Sequence, residues 1–439
     1  MAGSGSGGCC HRQQSAVHKQ ASWTPPFLCL ADTAKRVLPI IFLTILLDLL
    51  GFGLVIPIAP FYAQHFGATP KVITLLGAAY SLMQLVFMPM WGRLSDRIGR
   101  RPVILMSVAV SCVGYLWFGL ASQLWMLFAA RILAGFGNAN IGAAQAVIAD
   151  TTAPSERARG MGMIGAAFGI GFVLGPVFGG LLGKIDLALP AYVASGLGLI
   201  NWIIAYFRLP ETRDPEHIEA RKALPPGALL ALLRKPSVLR LLLVTFTVTT
   251  GFALMEQVSG LYIQSIWVPV PAGAAPDQIE ALHKHAALLS TAVLAAVGLT
   301  MVIVQGGLIG RLVKRFGESR LLRFGTATVT AGLLGMAAVG TIGWYPGMFL
   351  ASIALAAGSA LNTPSSTSLL SQHALAEQQG GLLGVGQSMS AAGRVLGPFM
   401  AGALFEVEGR LPLLVGAVLT AIAFVLTLGV HKPARPLNP

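Results

Sequence analysis

Apolar stretches of about 20 residues recur along almost the whole chain, separated by short polar segments. A continuous apolar run of that length can cross a bilayer as a helix. Twelve such runs lie at about 37–61, 72–92, 102–121, 124–148, 160–183, 190–208, 238–263, 286–308, 321–342, 346–370, 380–404 and 411–430. The pattern therefore predicts an all-α membrane protein with twelve transmembrane helices.

The composition agrees with this interpretation. Of the 439 residues, 55% are hydrophobic and 11% are charged, whereas about 25% of the residues in a soluble domain are charged. The 52 glycines suit a bundle of membrane helices, because small residues let helix backbones approach closely. The four cysteines are not spaced as metal ligands or as a disulfide framework, so we expect no metal and no cofactor.

Polar segments divide the chain into two halves with tails. We expect cytoplasmic tails at 1–36 and 431–439, six-helix halves at 37–208 and 237–430, and a cytoplasmic linker at 209–236. With both termini inside, 24 of the 30 Lys and Arg residues fall in inside segments and four fall in outside loops. This asymmetry favours cytoplasmic termini. It also explains the net charge of +13 without a nucleic-acid partner.

Two motifs repeat in the second half at nearly the same offset. Gly92-Arg-Leu-x-x-Arg97-x-Gly99 returns as Gly310-Arg-Leu-x-x-Arg315-x-Gly317, and Gly175-Pro176-x-x-Gly179-Gly180 returns as Gly397-Pro398-x-x-Ala401-Gly402. Because two unrelated motifs return at nearly the same offset along the chain, the sequence indicates duplication of a six-helix unit. Membrane transporters built from parallel repeats hold substrate near the bilayer midplane between them, so we expect a central cavity.

Four charged residues interrupt the apolar runs: Asp48, Arg131, Glu256 and Arg394. A charge in the hydrocarbon layer costs about 2.5–3.5 kcal/mol or more, so each needs a partner or a function. A buried carboxyl group near a cation can bind and release a proton, which makes Asp48 and Glu256 candidates for proton coupling or cation binding. The alternatives are a structural hydrogen bond for Glu256, and for Asp48 a helix end or Arg131 as partner.

Polar residues accompany Arg131 along one helical face, with Asn138 and Gln145 at helical spacing. Such a face should line a cavity, where Arg131 could attract a carboxylate. It could instead be a structural arginine bound to backbone carbonyls or to Asp48. Arg394 shares a face with Gln387, and there a structural role is favoured. Further candidates for the cavity lining are Tyr80, Gln84 and Asn362.

The fifth apolar run contains GIGFVLGPVFGG, residues 169–180. Glycines at 171, 175 and 179 fall every four residues and form a smooth face for close helix packing, while Pro176 should bend the helix. From the residues alone, this helix is a packing surface. The residues that form the motif are Gly171, Gly175, Pro176, Gly179 and Gly180.

The segment Gly92–Pro102, GRLSDRIGRRP, lies between the second and third runs. Its glycines permit a sharp turn, and its arginines hold the loop in the cytoplasm. The motif residues are Gly92, Asp96, Arg97, Gly99, Arg100 and Arg101. This motif resembles the signature loop of the major facilitator superfamily.

The resemblance extends from about residue 37 to 430 and is strongest to the twelve-helix drug–proton antiporters, tetracycline exporters among them. LDLLGFGLVIPIAP (47–60), Arg131 with Gly135, IADTTAPSERARG (148–160) and the fifth-run motif look like the motifs of that group. It implies that Asp96, with Arg97 and Arg101, forms a latch between the halves. It also implies that the fifth helix seals against proton leak. Tetracycline exporters carry an acidic residue in the ninth helix, and 321–342 has none, which speaks against tetracycline as substrate.

The expected function is export of small amphipathic, drug-like compounds in exchange for protons, by alternating access. One alternative is a proton-coupled symporter or facilitator for a nutrient such as a sugar or organic acid, and another is a non-transporting receptor or scaffold. The sequence has no phosphate-binding GxxxxGK[ST] motif, zinc-protease motif or nucleophile elbow, so we do not expect an enzyme. We expect a monomer in the inner membrane of a bacterium.

Overall fold

The computed structural model describes residues 26–151, 157–212, 232–373 and 376–430. Within these ranges the regular structure is entirely helical. The helices are α1 (Pro26–Val55), α2 (Ala59–His65), α3 (Pro70–Ile98), α4 (Arg100–Gly119), α5 (Leu124–Gly137), α6 (Ile141–Thr151), α7 (Arg157–Ile185), α8 (Leu189–Arg208), α9 (Pro236–Trp267), α10 (Pro276–Met301), α11 (Ile309–Phe316), α12 (Glu318–Ile342), α13 (Tyr345–Gln372), α14 (Ala376–Val407) and α15 (Leu411–Leu428).

These helices account for the twelve expected spans. A 3₁₀ turn, Asn138–Asn140, joins α5 to α6, and a π-helical segment, Val302–Leu308, joins α10 to α11. Counting each joined pair once, nine helices of the described ranges are long and apolar enough to cross a membrane. The other three expected spans correspond to α7, which contains the apolar stretch Gly169–Ile185, and to α13 and α14. The chain is therefore a multi-pass integral membrane protein.

Helix boundaries follow local chemistry more than hydropathy. Proline occupies the first turn of most of the long helices, among them α3, α8, α9 and α10, where its missing N–H costs nothing. α1 begins at Pro26 rather than near residue 37, because the good helix formers before the apolar run extend the helix. The side chains of 26–36 lie outside the described residues, as do 1–25, most of the expected linker and the tail 431–439.

The helices pack as two groups. α1 packs on α7 and α8, and α4 packs on α5 and α8, whereas α9 packs on α14 and α15, and α12 packs on α13 and α15. Contact between the groups is chiefly α7 with α10 and α3 with α14. In the duplication of the six-helix unit, α3 corresponds to the α10–α11 span and α7 corresponds to α14. The two interfaces are therefore equivalent by pseudo-symmetry.

The same small contact occurs in both interfaces. A Cβ at Gly180 of α7 would overlap the side chain of Thr291 on α10, and a Cβ at Gly402 of α14 would overlap Thr74 on α3. Gly180 and Gly402 are the repeated glycines of the GP motif. Each half thus presents a glycine to a buried threonine of the other half.

The halves are joined at one end of the bundle, here called the packed end. One hydrophobic cluster there contains Leu54, Phe61 and Leu76 of the first half together with Leu261 and Ala287 of the second. At the opposite end, where Gly92–Pro102 lies, the cluster around Trp91, Ile104 and Ile148 draws only on the first half among the described residues.

Polar contacts reinforce the packed end. Gln64 Nε2 donates to Gln264 Oε1 at 3.0 Å, and the backbone N–H of Lys71 donates to Glu406 Oε1 at 3.1 Å. Lys284 Nζ donates to the Ile185 carbonyl at 3.1 Å. Each of these bonds joins one half to the other, so the packed end is closed in this structure.

Candidate functional site

A cavity lies between the two halves. Its lining comes from α1, α2, α3, α5 and α6 of the first half and from α9 and α14 of the second. The polar and charged side chains that line it are Tyr80, Ser81, Gln84, Arg131, Glu256, Gln257 and Arg394. Leu49, Phe52, Ile56 and Met88 contribute apolar surface. The mixture of aromatic, apolar and few charged groups is typical of a small-molecule site.

Arg131 is buried, with 5% of its surface exposed. Its guanidinium carbon lies 5.8 Å from the centre of the Tyr80 ring and 5.1 Å from that of Phe118, within the range of cation–π attraction. Its Nε has no hydrogen-bond partner among the residues that the structure describes. The aromatic rings therefore hold the cation in place and leave part of its donor capacity unused.

Glu256 faces two cations across the cavity. Its carboxylate lines the same cavity as the guanidinium groups of Arg394 and Arg131. Within the described part of the chain, however, neither guanidinium comes within ion-pair distance, and Glu256 Oε1 is buried without a hydrogen-bond partner. A buried polar atom without a partner is costly. The carboxylate is thus available to a proton or to a ligand.

Asp48 has a different environment from Glu256. Its Oδ2 accepts a 2.9 Å hydrogen bond from Asn140 Nδ2, and its Oδ1 accepts a 3.1 Å bond from Asn201 Nδ2. Asn201 also donates to the carbonyl of Thr44. Asp48 is absent from the cavity lining and instead links α1 to α8 and to the 3₁₀ turn between α5 and α6. Its partners are amides, not Arg131 and not a helix end.

Tyr80 and Gln84 lie on the cavity wall with Asn138 behind them. Asn138 Nδ2 donates to Tyr80 Oη at 3.1 Å and to Tyr115 Oη at 2.7 Å, and Gln84 Nε2 donates to Tyr80 Oη at 3.2 Å. The Tyr80 ring stacks on Phe52, with centroids 4.9 Å apart. This network fixes the aromatic wall over which Arg131 lies.

The structure does not bring the remaining expected lining residues to this cavity. Asn362 is buried and donates to Thr326 Oγ1 at 2.8 Å inside the second half. Gln145 is half-buried and Gln387 is exposed, and neither belongs to the lining. Spacing along a helix identifies a face, but the direction of that face depends on how the helix is rotated within the bundle.

The glycine face of α7 packs directly on α1. A Cβ at Gly175 would come within 2.6 Å of the Gly53 Cα, and one at Gly171 within 2.8 Å of the Leu49 Cβ. A Cβ at Gly179 would overlap the backbone of Leu54. Gly53 is itself part of the LDLLGFGLVIP stretch. The fifth helix therefore fits against the first at backbone distance, and only glycine is small enough at these positions.

The loop between α3 and α4 turns at Gly99, whose φ of +106° is matched by a φ of +77° at its repeat partner Gly317. Arg100 is buried, and its Nη1 donates to Ser95 Oγ at 2.7 Å. Arg101 Nη2 donates to the Tyr206 carbonyl at 2.7 Å. Arg97 is exposed. The side chain of Asp96 lies outside the described residues, so its role in a latch stays a prediction.

Sequence reasoning missed Glu211, which binds this loop. Its Oε1 accepts from the Arg100 N–H at 2.9 Å, and its Oε2 accepts from the Arg101 N–H at 3.2 Å. The carboxylate thereby caps the N-terminus of α4, where the helix dipole favours negative charge. The signal available in the sequence was that Glu211 is the first acidic residue after the sixth apolar run.

Comparison with known proteins agrees with this architecture. The family model described as Major Facilitator Superfamily matches residues 41–344 and 268–439. The class D tetracycline resistance protein of Salmonella ordonez is 32% identical over 401 residues, covering 89% of this chain and 95% of that protein. Multidrug resistance protein 2 of Bacillus subtilis is 26% identical, covering 90% and 95% respectively.

Solved structures show the same fold. The human organic anion transporter MFSD10 (TETRAN) superposes with a TM-score of 0.66 at 23% identity, covering 92% of this chain and 100% of that one. A bacterial homologue of the human lysosomal transporter Spinster gives 0.68 at 14% identity, covering 92% and 97%. With its twelve spans, its repeated halves and these matches, the chain belongs to the Major Facilitator Superfamily.

Proposed function

We propose that this chain is a secondary active transporter that exports small amphipathic, drug-like compounds in exchange for protons by alternating access. The observation that carries the proposal is the cavity between the halves, in which a buried carboxylate, Glu256, faces Arg131 and Arg394 without pairing to either. The relatives named for tetracycline and multidrug resistance support export over nutrient uptake.

Glu256 is the group we assign to proton coupling. A carboxylate that is unpaired inside the membrane is stabilised either by a proton or by a ligand that donates to it. If binding of the two is mutually exclusive, each compound that enters the site displaces one proton, and antiport follows. Asp48 also titrates in principle, but its two amide donors and its place outside the cavity support a role in joining helices.

The energetics are sufficient for this exchange. A pH difference of one unit supplies about 1.4 kcal/mol per proton, and a potential of 100 mV supplies about 2.3 kcal/mol per charge. One proton driven by both could sustain a substrate gradient of about a hundredfold or more.

The proposal includes an orientation and a state of assembly. The distribution of Lys and Arg supports both termini in the cytoplasm, which places Gly92–Pro102 inside and the packed end outside. The cavity would then face the cytoplasm, where drug is collected. We also propose that the protein works as a monomer in a bacterial inner membrane. Reporter fusions to the loops and the mass of the purified protein in lipid nanodiscs test these two points.

The central experiment measures transport and proton movement together. The chain is expressed in a bacterial host without its own major efflux pumps. Resistance to a panel of antibiotics and dyes that includes tetracycline is then screened. Inverted membrane vesicles from the same host report proton release from the lumen when a drug is added. We expect export of at least one compound with counter-movement of protons. Glu256→Gln should abolish the proton movement, whereas Glu280→Gln, an exposed carboxylate paired with Lys284, should not.

Movement of substrate together with protons would indicate a symporter instead. Absence of any ligand-dependent proton movement, combined with tolerance of Glu256→Gln, would indicate a receptor or scaffold. Either result would contradict the proposed function.

A further inference from the structure

The short helix α11 has one basic and one apolar face. None of its residues is buried, and Arg311, Lys314 and Arg315 are exposed. At about 3.6 residues per turn, these three cations fall on one side of the helix. The apolar residues fall on the other side, namely Ile309, Leu312, Val313 and Phe316. No hydrogen bond or ion pair joins the three cations to another described residue. The basic face is therefore open to a partner.

The equivalent turns of the first half are anchored by side chains. In the duplication of the six-helix unit, α11 corresponds to residues 91–98 at the end of α3. Trp91 Nε1 donates to the Phe136 carbonyl at 2.8 Å, and the buried Ser95 accepts from Arg100 Nη1 at 2.7 Å. At both anchoring positions α11 has an apolar residue instead. α11 thus lacks the hydrogen bonds that fix its counterpart.

The connection between α10 and α11 provides a bending point. The segment Val302–Leu308 is π-helical, and helices kink at such segments. It contains Gly306 and Gly307, where a Cβ would meet no atom of the described residues within 4 Å. The first half has Pro89 at the position of Gly307, so the two halves are interrupted at the same place. Packing at the glycine pair leaves α11 room to change its angle to α10.

The length of the span places α11 at the membrane surface. The apolar run 286–308 is long enough to cross the ~30 Å hydrocarbon layer as a helix, and α11 begins directly after it. In the proposed orientation this is the cytoplasmic surface, where anionic lipids attract Lys and Arg. An amphipathic helix with a basic polar face is typical of segments that lie at such an interface.

We infer that α11 is a docking surface for anionic lipid. Phosphate groups of the cytoplasmic leaflet bind the side chains of Arg311, Lys314 and Arg315. Lys314 stands where the first half has Asp96, a carboxylate that would repel them. In this structure α11 packs chiefly on the π segment and on α12 of its own half. Lipid that holds it there favours the state open to the cytoplasm. The inference rests on the orientation and alternating access of the proposed function and adds a lipid partner.

Hydrogen exchange in nanodiscs tests the docking. The full chain is placed in discs of phosphatidylcholine alone and in discs that also contain phosphatidylglycerol, so that only the second kind has an anionic surface. We expect amide exchange in peptides covering 302–316 to be at least about fivefold slower in the anionic discs, and high salt to remove the difference. Inorganic phosphate added to the phosphatidylcholine discs should not reproduce it.

Two matched triple variants separate α11 from basic residues in general. Arg311→Gln, Lys314→Gln and Arg315→Gln together should abolish the lipid dependence. The control variant removes three other exposed cations at the ends of α8 and α9 and should retain it: Arg208→Gln, Arg234→Gln and Lys235→Gln. Because all six side chains are exposed, both variants should melt like the unmodified chain. If the α11 variant does not fold, Lys314→Gln alone should reduce the lipid dependence.

A buried cysteine reports the effect of lipid on the state of the protein. Leu261 lies in the packed end with 3% of its surface exposed. In a chain without its four native cysteines, a thiol reagent reaches Leu261→Cys only when the packed end opens. Labelling should be at least about threefold slower in the anionic discs, and the α11 triple variant should remove the difference.

The inference is wrong if exchange over 302–316 is equal in both kinds of disc, which would mean that lipid does not cover α11. It is also wrong if inorganic phosphate protects equally, if the control variant loses the lipid dependence, or if labelling of Leu261→Cys ignores lipid charge. Proton-coupled export without any lipid dependence would remove the inference and leave the transporter in place. Lipid-dependent exchange without export would contradict the proposed function alone.

Discussion

Asp48 and Glu256 are both carboxylates in membrane helices, but their surroundings differ. Removing the charge should therefore affect the stability of the fold differently at the two positions. Asp48 accepts hydrogen bonds from Asn140 and Asn201, whereas Glu256 Oε1 has no hydrogen-bond partner in the described part of the chain. A hydrogen bond to a charged group contributes about 1.5–3 kcal/mol, and a buried group left unsatisfied costs free energy. Neutralisation should therefore destabilise the fold at Asp48 and not at Glu256.

We accordingly predict that Asp48→Asn lowers the free energy of unfolding by about 1–3 kcal/mol, because one of the two asparagine donors would meet an amide N–H₂ instead of an oxygen. The melting temperature of the purified protein in detergent should fall. Glu256→Gln should melt at or above the temperature of the unmodified chain. Equal melting of the two variants would contradict the assignment of a joining role to Asp48.

Sequence reasoning located these carboxylates but not their partners. The cost of a charge in lipid singles out Asp48, Arg131 and Glu256, and the structure brings Arg131 and Glu256 into one cavity. Asn201 lies in another helix far along the chain, and no local pattern connects it to Asp48. Gln387 shares a predicted face with Arg394 yet is exposed, because helix rotation is determined by packing between helices.

At the level of the element, α7 shows how closely helices approach when glycine lines the contact. Its Gly175 meets Gly53 of α1 at backbone distance, and such proximity gives extensive van der Waals contact in the absence of a hydrophobic driving force between helices. The glycine spacing alone predicted a packing surface. The helix on the other side of that surface could be identified only from the structure.

We predict that Gly175→Ala destabilises the protein, although alanine is a better helix former than glycine by about 0.5–1 kcal/mol. The added methyl group would force α1 and α7 apart. Gly196→Ala in α8 is the matched control, because a Cβ there meets no atom of the described residues within 4 Å, and it should be neutral or stabilising. Yield after extraction and thermal melting measure both, and similar behaviour of the two variants would refute the prediction.

The loop before α4 is the second element whose stability depends on one side chain. Glu211 caps the first N–H groups of α4. We predict that Glu211→Gln speeds amide hydrogen exchange at Arg100 and Arg101 by about tenfold or more, since a charged acceptor is replaced by a neutral one. Mass spectrometry of peptides spanning the loop measures the change. Glu408→Gln, at the half-exposed Glu408–Arg410 pair, is the control. Unchanged exchange at the loop in Glu211→Gln would exclude the cap.

At the scale of the whole molecule, closure of the packed end defines the present state. Polar bonds such as Gln64 to Gln264 join the halves there. The number of spans, the duplication and the basic loops were predictable, since they depend on length, hydropathy and repeat. The state of the cavity was not predictable from the sequence, because alternative conformations of one chain share the same pattern of apolar runs.

We predict that cross-linking the packed end stops transport. Cysteines at Gln64 and Gln264, in a chain without its four native cysteines, would be bridged by a short bifunctional thiol reagent. Export should cease while drug binding persists, because the cavity would be held open to one side only. Bridging Glu408→Cys to Arg410→Cys, within one half, should leave export intact. Continued export by the bridged Gln64 and Gln264 pair would argue against alternating access through this end.

The paired contacts of Gly180 with Thr291 and of Gly402 with Thr74 have a thermodynamic consequence. Rotation of one half against the other would compress or relax both contacts together. The two contacts therefore act as a common pivot, and they give no bias towards opening on either side of the membrane. That bias must reside in features that the duplication did not preserve. Gly99 abuts Glu211, whereas no atom of the described residues lies within 4 Å of a Cβ built at its counterpart Gly317, and Asp96 is replaced by Lys314. We therefore expect charge changes in these two loops to shift the resting direction of the protein without altering the pivot.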